Sequence, residues 1–216
     1  PRIRYYLPGA DEWRTAQSWP PPARHRSLAL AADGTLGGPV PGSRDYLCAG
    51  AALNRPANAN PFPLPASLTW DGTPLEQDLD VVGDIELRLT ASSTALDTAW
   101  IVMLQDVAPD GTTTDVTAGY LRASLREVDE APSRPGAPVL PGRRPQAVPI
   151  GQPVEYRIPL VPNARRFAAG HHIRLLLTSD DQDKTFPAIM DFRHSPVGTN
   201  THNTIWSDSG LLLPVL

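Results

Sequence analysis

Residues 85–91 read Ile-Glu-Leu-Arg-Leu-Thr-Ala, and this stretch decides the fold class together with residues 99–104. In residues 85–91 apolar side chains alternate with polar ones, which is the period of a strand buried on one face. Residues 99–104 read Ala-Trp-Ile-Val-Met-Leu and are apolar throughout, which predicts a strand covered on both faces. Both stretches indicate a protein built from β-sheet.

Similar patterns recur along the rest of the chain. Alternation predicts further strands at residues 2–7, 121–126, 154–160, 172–178 and 211–216, with shorter candidates at 27–30, 67–70, 203–206 and around Tyr46. Pro109-Asp110-Gly111 is typical of a tight turn between two long strands, because proline sets φ and glycine adopts positive φ. Roughly ten strands without any convincing helical run predict an all-β protein, an antiparallel sandwich or a jelly roll.

The composition also disfavours helices. Of 216 residues, 25 are proline and 16 are glycine, while Lys184 is the only lysine. Proline and glycine are the poorest helix formers, and lysine is among the good ones. Pro132–Pro153 holds seven prolines, and proline cannot donate to a strand ladder, so we expect a surface excursion there. For the same reason we expect loops at Trp19–Pro22 and Pro39–Pro65.

Charge, hydropathy and cysteine content limit the binding partners and the cellular compartments that fit this chain. With a net charge of −4 and no cluster of lysines, the chain lacks the basic surface that nucleic-acid binding requires. The longest apolar runs are far shorter than a membrane span. Cys48 is the only cysteine, which excludes an internal disulfide and permits a reducing compartment such as the cytoplasm without requiring one. The chain opens on Pro1 rather than Met, which we interpret as a cut inside a longer protein.

Nucleophilic chemistry has little support in the sequence. The chain contains no Gly-x-Ser-x-Gly, the strand-to-helix elbow that exposes a catalytic serine. Ser43 follows Gly42, but a second glycine is missing. Asp191, His194 and Ser195 lie within five residues, whereas the members of a triad converge from separate elements. We therefore predict no catalytic residue. Phosphate binding has no support because no glycine-rich loop precedes a helix, and no cofactor is expected.

Metal binding is also not predicted. Four histidines lie near four aspartates in the last third of the chain, namely His171, His172, His194 and His202 near Asp180, Asp181, Asp183 and Asp191. Their spacing matches no known zinc or calcium motif. Adjacent residues of a strand point to opposite faces, so His171 and His172 are not expected to share an ion. A structural cation in the Asp180–Asp183 loop is left open.

The five tryptophans allow two interpretations. Trp13, Trp19, Trp70, Trp100 and Trp206 could stack on sugar rings if they were exposed, although large aromatic side chains are mostly buried. Trp100 lies in the most apolar stretch and is predicted to belong to the core. Trp13 and Trp19 stand close to prolines and are expected to fix a loop to the sandwich or to a partner.

Taken in order, the short motifs resemble one family along essentially the whole chain. They are Trp13-Arg14, Trp19-Pro20-Pro21, Asp33-Gly34-Thr35-Leu36, Leu68-Thr69-Trp70, Leu104-Gln105-Asp106-Val107, Pro109-Asp110-Gly111, Gly170-His171, Ile173-Arg174-Leu175 and Leu213-Pro214-Val215. This series resembles the C-terminal domain of the Xaa-Pro dipeptidyl-peptidase and cocaine-esterase-like serine hydrolases, which include the α-amino-acid ester hydrolases.

The resemblance implies a galactose-binding-like jelly roll spanning residues 1–216. This domain would pack on an upstream α/β-hydrolase domain that carries the catalytic triad and acts on a small peptide or ester. Phe62 and Leu64, in the loop before the strand at residues 67–70, are the candidates for reaching the substrate cleft. Whether copies of this protein associate as a homo-oligomer is left open. The alternative is a free-standing jelly roll that binds carbohydrate or another ligand.

Overall fold

The computed structural model describes residues 2–49, 65–180 and 200–216, and the fold of these residues is built from β-strands. In chain order the strands are β1 (Ile3–Leu7), β2 (Glu12–Ala16), β3 (Arg24–Leu30), β4 (Thr35–Gly37), β5 (Ser43–Ala49), β6 (Ser67–Gly72), β7 (Leu79–Ser93), β8 (Ala99–Val107), β9 (Thr113–Arg122), β10 (Asp129–Arg134), β11 (Ala137–Val139), β12 (Val154–Phe167), β13 (His172–Thr178), β14 (Asn200–Trp206) and β15 (Gly210–Val215). A 3₁₀ turn at Ala123–Leu125 is the one helical element in these ranges, where no helix is long and apolar enough to span a membrane.

Most of the strands pair around a closed ring. β12 pairs with β7 along most of its length and meets β9 at the Leu160–Gly119 pair. From β9 the pairing continues through β8, β13, β6, β4, β3 and β15 back to β7. β14 joins the far end of β7, and β5 pairs with β14. These pairs are antiparallel except for β4 with β6. Because the ring of pairings closes on itself, the described strands form a barrel-like sandwich. The all-β prediction is confirmed.

Apolar side chains from around the ring share one core. Ile85 and Leu87 of β7 are completely buried, as the alternation in residues 85–91 predicts. Trp100 of β8 packs edge to face on Tyr156 of β12, with 5.3 Å between the ring centroids. β8 is buried on both faces, also as predicted, because Ile101 and its neighbours form a second apolar cluster on the other side.

The strand predicted at residues 121–126 is wrong in its second half. β9 ends at Arg122, and the next three residues form the 3₁₀ turn. The Asp97 carboxylate accepts hydrogen bonds from the Ser124 amide at 2.9 Å and from the Ser124 hydroxyl at 2.8 Å. These bonds to a side chain replace the ladder bonds that would continue the strand.

The prediction of a surface excursion at Pro132–Pro153 is only partly right. β10 and β11 form a small hairpin that overlaps this segment, and the segment also contains the fully buried Val148. The Gly136 amide in the hairpin turn donates to Glu86 Oε2 on the outer face of β7 at 3.0 Å. Gly136 has φ 82°, and a Cβ there would lie 2.5 Å from the Asp84 carbonyl oxygen, so only glycine fits this contact. Glu86, expected on the exposed face of a half-buried strand, is therefore buried.

The segment Pro39–Pro65, expected to be a loop, contains a strand. The short strand predicted around Tyr46 extends over Ser43–Ala49 as β5. β5 is held by a complete antiparallel register with β14, from the Asn200–Ala49 pair to the Trp206–Ser43 pair. The loop expectation is wrong there because long-range pairing decides this strand.

β3 has two different halves. Leu28 and Leu30 are buried, whereas Arg24, His25 and Arg26 are exposed. β15 pairs with β3 along nearly its whole length, but β4 pairs with it only at residues 29 and 30. Among the strands that the structure describes, the first half of β3 therefore has a partner on one edge only.

Candidate docking surface

Some of the residues considered for chemistry lie outside the described residues, namely Phe62, Leu64, Asp181, Asp183, Asp191, His194 and Ser195. Ser43 opens β5, directly opposite Trp206 of β14, and it is followed by a strand rather than by the helix of a nucleophile elbow.

The two adjacent histidines contact different carboxylates. His171 Nδ1 lies 2.8 Å from Asp106 Oδ1, and His172 Nε2 lies 3.7 Å from Asp71 Oδ1. The prediction that the two rings do not share a site is confirmed. In the part of the chain that the structure describes, no three histidine, cysteine, aspartate or glutamate side chains are grouped so that they could hold a metal ion.

The thiol of Cys48 is buried in the sandwich. Burial raises the pKa of Cys48 to about 11, so the thiol stays protonated at neutral pH. A protonated, buried thiol is a poor nucleophile and a poor metal ligand. Cys48 therefore acts as a small core residue.

The described feature best suited to bind a partner is the N-terminal hairpin formed by β1 and β2. The two strands pair from Ile3–Ala16 to Leu7–Glu12, and the turn between them uses Gly9 at φ 86°. Alternation divides β1 into two faces, because Leu7 is buried while Arg4 and Tyr6 are exposed. The hairpin forms its own two-stranded sheet, apart from the main ring.

Ion pairs and one backbone bond fix this hairpin to the sandwich. Arg14 Nη1 of β2 lies 2.7 Å from Asp80 Oδ2 at the start of β7. Arg166 Nε of β12 lies 2.6 Å from the other oxygen of Asp80, and the Arg166 amide donates to the Pro8 carbonyl at 2.9 Å. The hydrogen bond from Arg166 is the main reason that the pKa of Asp80 is lowered. The hairpin is therefore held in one orientation, with its other face outward.

The outward face of the hairpin carries an aromatic cluster, which we call the aromatic face and define as Arg4, Tyr6 and Trp13. The rings of Tyr6 and Trp13 lie 5.5 Å apart, and the Arg4 guanidinium lies 4.6 Å from the centre of the Trp13 ring. Trp13 is 58% exposed and Tyr6 is 41% exposed. Clustered, exposed aromatic residues with an arginine are typical of the centres of protein interfaces.

The structure separates the five tryptophans clearly. Trp70 and Trp100 are buried in the core, which confirms the prediction for Trp100. Trp19 is half-exposed and packs edge to face on Tyr5 at 5.6 Å, so it fixes the loop after the hairpin to strand β1. Strand β2 was not predicted from the sequence, although the alternation of Trp13 with its charged neighbours is a signal for it.

One family model and several known proteins match the sequence of this chain. A family model described as the X-Pro dipeptidyl-peptidase C-terminal non-catalytic domain matches residues 1–202. The chain is 28% identical over 208 residues to a Mycobacterium bovis protein named as a serine esterase, covering 84% of this chain and 32% of that protein. It is 26% identical over 212 residues to the cocaine esterase of a Rhodococcus species, covering 85% of this chain and 35% of the esterase. The chain thus spans about a third of the length of these relatives.

Solved structures share the fold at lower identity. A CocE/NonD family hydrolase from Staphylococcus aureus superposes with a TM-score of 0.81 at 18% identity, covering 100% of this chain and 42% of the hydrolase. An α-amino acid ester hydrolase superposes with a TM-score of 0.76, also at 18% identity, covering 100% of this chain and 41% of that enzyme. These likenesses concern the fold, whereas the family match extends over nearly the whole sequence. The chain therefore belongs to the family of X-Pro dipeptidyl-peptidase C-terminal non-catalytic domains.

Proposed function

We propose that this chain is the C-terminal module of a larger serine hydrolase of the dipeptidyl-peptidase or acyl-esterase type. Residues 1–216 form one galactose-binding-like jelly roll in this proposal, and the α/β-hydrolase domain of the same polypeptide packs against it. The reaction on a small peptide or ester takes place in that upstream domain. The module gives the upstream domain a rigid platform.

The exposed aromatic face carries this proposal. Monomeric proteins rarely leave clustered large aromatic side chains in water, because burying apolar surface is favourable by about 25 cal/mol per Å². Trp13 and Tyr6 project from a hairpin that is fixed by Asp80, so their arrangement is preformed before any partner binds. The matching family domain is by description C-terminal and non-catalytic, which makes the upstream part of the same polypeptide the nearest partner.

A carbohydrate-binding role is the alternative, because exposed tryptophans can stack on sugar rings. The geometry of the aromatic face favours a protein partner. Arg4 already covers one side of the Trp13 ring at 4.6 Å, and the Tyr6 ring is inclined to the Trp13 ring by 58°. The cluster is therefore not a flat, open platform for a pyranose ring.

Hydroxyl-radical footprinting can test the docking proposal. In the full-length hydrolase we expect the oxidation of Tyr6 and Trp13 to be several-fold slower than in this chain alone, because packing excludes solvent from both rings. Trp206 is a matched control, since it is 37% exposed on β14, outside the hairpin. Its oxidation is expected to be the same in both proteins.

Equal oxidation of Tyr6 and Trp13 in the two proteins would contradict docking through the aromatic face. Slower oxidation of the same two residues on addition of a glycan to this chain alone would favour the carbohydrate-binding alternative. The two results are distinguishable because each compares a different pair of samples.

We further propose that Phe62 and Leu64 form part of the wall of the substrate cleft in the full-length hydrolase. The support is their apolar character in the connection that leads to β6, whose rigid sandwich would hold a cleft wall in place. This role depends on the docking proposed above.

Replacing Phe62 by alanine in the full-length hydrolase is expected to raise KM about tenfold with a smaller change in kcat, because an apolar substrate contact is lost. Val161→Ala is the control, since Val161 is an exposed apolar residue of β12. Steady-state kinetics with a small ester substrate measures both variants. Unchanged kinetics for Phe62→Ala would remove Phe62 from the cleft.

A further inference from the structure

The aromatic face carries a positive charge that the described part of the chain does not neutralise. Arg4 is exposed on β1, and its guanidinium lies over the Trp13 ring, 4.6 Å from the ring centre. Among the described residues, the Arg4 side chain has no hydrogen bond and no ion pair. Thr15, directly opposite Arg4 in the hairpin register, is uncharged, and Arg2 is also exposed. This face is therefore positive on a chain whose net charge is −4.

The inner face of the same hairpin shows what Arg4 lacks. Arg14 Nη1 lies 2.7 Å from Asp80 Oδ2, so a carboxylate of the sandwich neutralises that arginine. The Asp11 carboxylate in the hairpin turn does not do the same for Arg4, because it accepts a hydrogen bond from the Tyr6 hydroxyl at 3.1 Å. The five N–H donors of the Arg4 guanidinium are thus available to a group outside the described residues.

Docking through the aromatic face would take the Arg4 guanidinium out of water together with the Trp13 ring that it covers. An arginine keeps its proton in proteins, so it enters the interface charged. A charge buried without a partner is costly, and neutral carbonyl oxygens leave the net charge in place. A carboxylate matches the guanidinium in charge and in shape, because its two oxygens accept from two parallel N–H groups.

We propose that the upstream domain of the full-length hydrolase presents an aspartate or glutamate side chain that forms a bidentate ion pair with Arg4. This inference rests on the docking proposed above and adds the chemistry of the partner surface, which is an apolar patch with a carboxylate beside it. The position of the Arg4 guanidinium over the Trp13 ring determines where that carboxylate lies. The ion pair thereby selects one orientation of the two domains.

Arg4→Lys in the full-length hydrolase, treated with a water-soluble carbodiimide, tests for this carboxylate. The reagent activates a carboxylate, which then forms an amide with an amine in direct contact. Lys184 is the only lysine of the chain, so the substitution adds one amine at a known position. We expect mass spectrometry to find a peptide that joins position 4 to an aspartate or glutamate of the upstream domain.

Arg144→Lys is the matched control, because Arg144 is an exposed arginine in the segment before β12, outside the hairpin. Its new amine is expected to join no residue of the upstream domain. The proposal is overturned if position 4 joins no carboxylate of the upstream domain. It is also overturned if the two variants are joined to that domain equally.

Arg4→Glu provides a second test, with the footprinting measurement described above. Two carboxylates would then face each other, so we expect the protection of Tyr6 and Trp13 in the full-length hydrolase to fall several-fold. The oxidation rate in the full-length variant is divided by the rate in the same variant of this chain alone, because losing Arg4 also uncovers the Trp13 ring. Arg144→Glu makes the same charge change outside the hairpin and is expected to leave this ratio unchanged.

The results distinguish this inference from the docking on which it rests. Protection of Tyr6 and Trp13 that is equal in the unchanged hydrolase and in Arg4→Glu would retain the docking and overturn the carboxylate. An absence of protection in the unchanged hydrolase would contradict the docking and this inference together. Protection that is lost in Arg4→Glu, and restored when the cross-linked acid of the upstream domain is replaced by arginine, would support both.

Discussion

Replacing Trp100 by alanine is expected to lower the free energy of unfolding by about 3 to 5 kcal/mol. Trp100 is completely buried near the start of β8 and packs on Tyr156 at 5.3 Å between ring centroids. Its removal takes away the largest class of apolar side chain and leaves a cavity that the surrounding strands cannot close, since the sheet pairing fixes their spacing. A domain is stabilised by only about 5 to 15 kcal/mol, so this loss is severe.

Urea denaturation followed by fluorescence or circular dichroism measures this loss as a shift of the midpoint. Trp206→Ala is the matched control, because Trp206 is 37% exposed on β14 and its removal leaves no closed cavity. We expect the control to cost less than about 1 kcal/mol. A similar cost for both variants would mean that Trp100 is not in a close-packed core.

Glu86→Ala is expected to cost about 3 kcal/mol, nearly as much as the core substitution. Glu86 is completely buried, its carboxylate lies 2.5 Å from Arg157 Nε, and it accepts from the Gly136 amide at 3.0 Å. Alanine would leave the Arg157 guanidinium, itself only about one-fifth exposed, without its main partner, and would leave the Gly136 amide unpaired. The same denaturation measurement applies.

A control variant and a double-mutant cycle test whether the cost of losing Glu86 comes from its buried ion pair with Arg157. Glu155→Ala removes an exposed carboxylate from β12 and is expected to change stability by less than about 0.5 kcal/mol. Replacing Glu86 and Arg157 together by leucine should cost less than the two single leucine variants added together, because no unpaired charge remains buried. Additive costs in this double-mutant cycle would show that the ion pair is not coupled.

The elements that could be predicted from the sequence are those decided by local pattern. Residues 85–91 and 99–104 carry their periodicity in the sequence itself, and both lie in long strands. The turn at Pro109-Asp110-Gly111 depends on glycine at positive φ, and Gly111 has φ 85° between β8 and β9. Such features require no knowledge of distant parts of the chain.

The elements that the sequence did not reveal are those decided by tertiary contacts. Glu86 is one of the polar residues that alternate with apolar ones in residues 85–91. It is nevertheless buried, because the β10–β11 hairpin covers the outer face of β7. The strand predicted at residues 121–126 ends at Arg122, because the backbone amide of Ser124 donates instead to the Asp97 carboxylate in the connection between β7 and β8. In both cases the deciding partner lies far away in sequence, so the local pattern could not indicate it.

The aromatic face was partly predictable. The sequence predicts that Trp13 fixes a loop to the sandwich or to a partner, but the exposure of Trp13 follows from the hairpin orientation set by Arg14 and Asp80. The pairing of Tyr6 with Trp13 depends on the β1–β2 register, which requires strand β2. Because β2 was not predicted, the sequence indicated Trp13 as a contact residue but did not indicate the aromatic face.

The half-paired strand β3 bears on how copies of this protein behave when crowded together. A bare strand edge offers backbone groups to a second molecule and can seed fibres. If two such edges met in antiparallel fashion, Arg24 and Arg26 of one molecule would approach the same arginines of the other, and like charges placed opposite each other disfavour the pairing. We therefore expect these arginines to act as gatekeepers against aggregation along the first half of β3, which has one partner strand among those described.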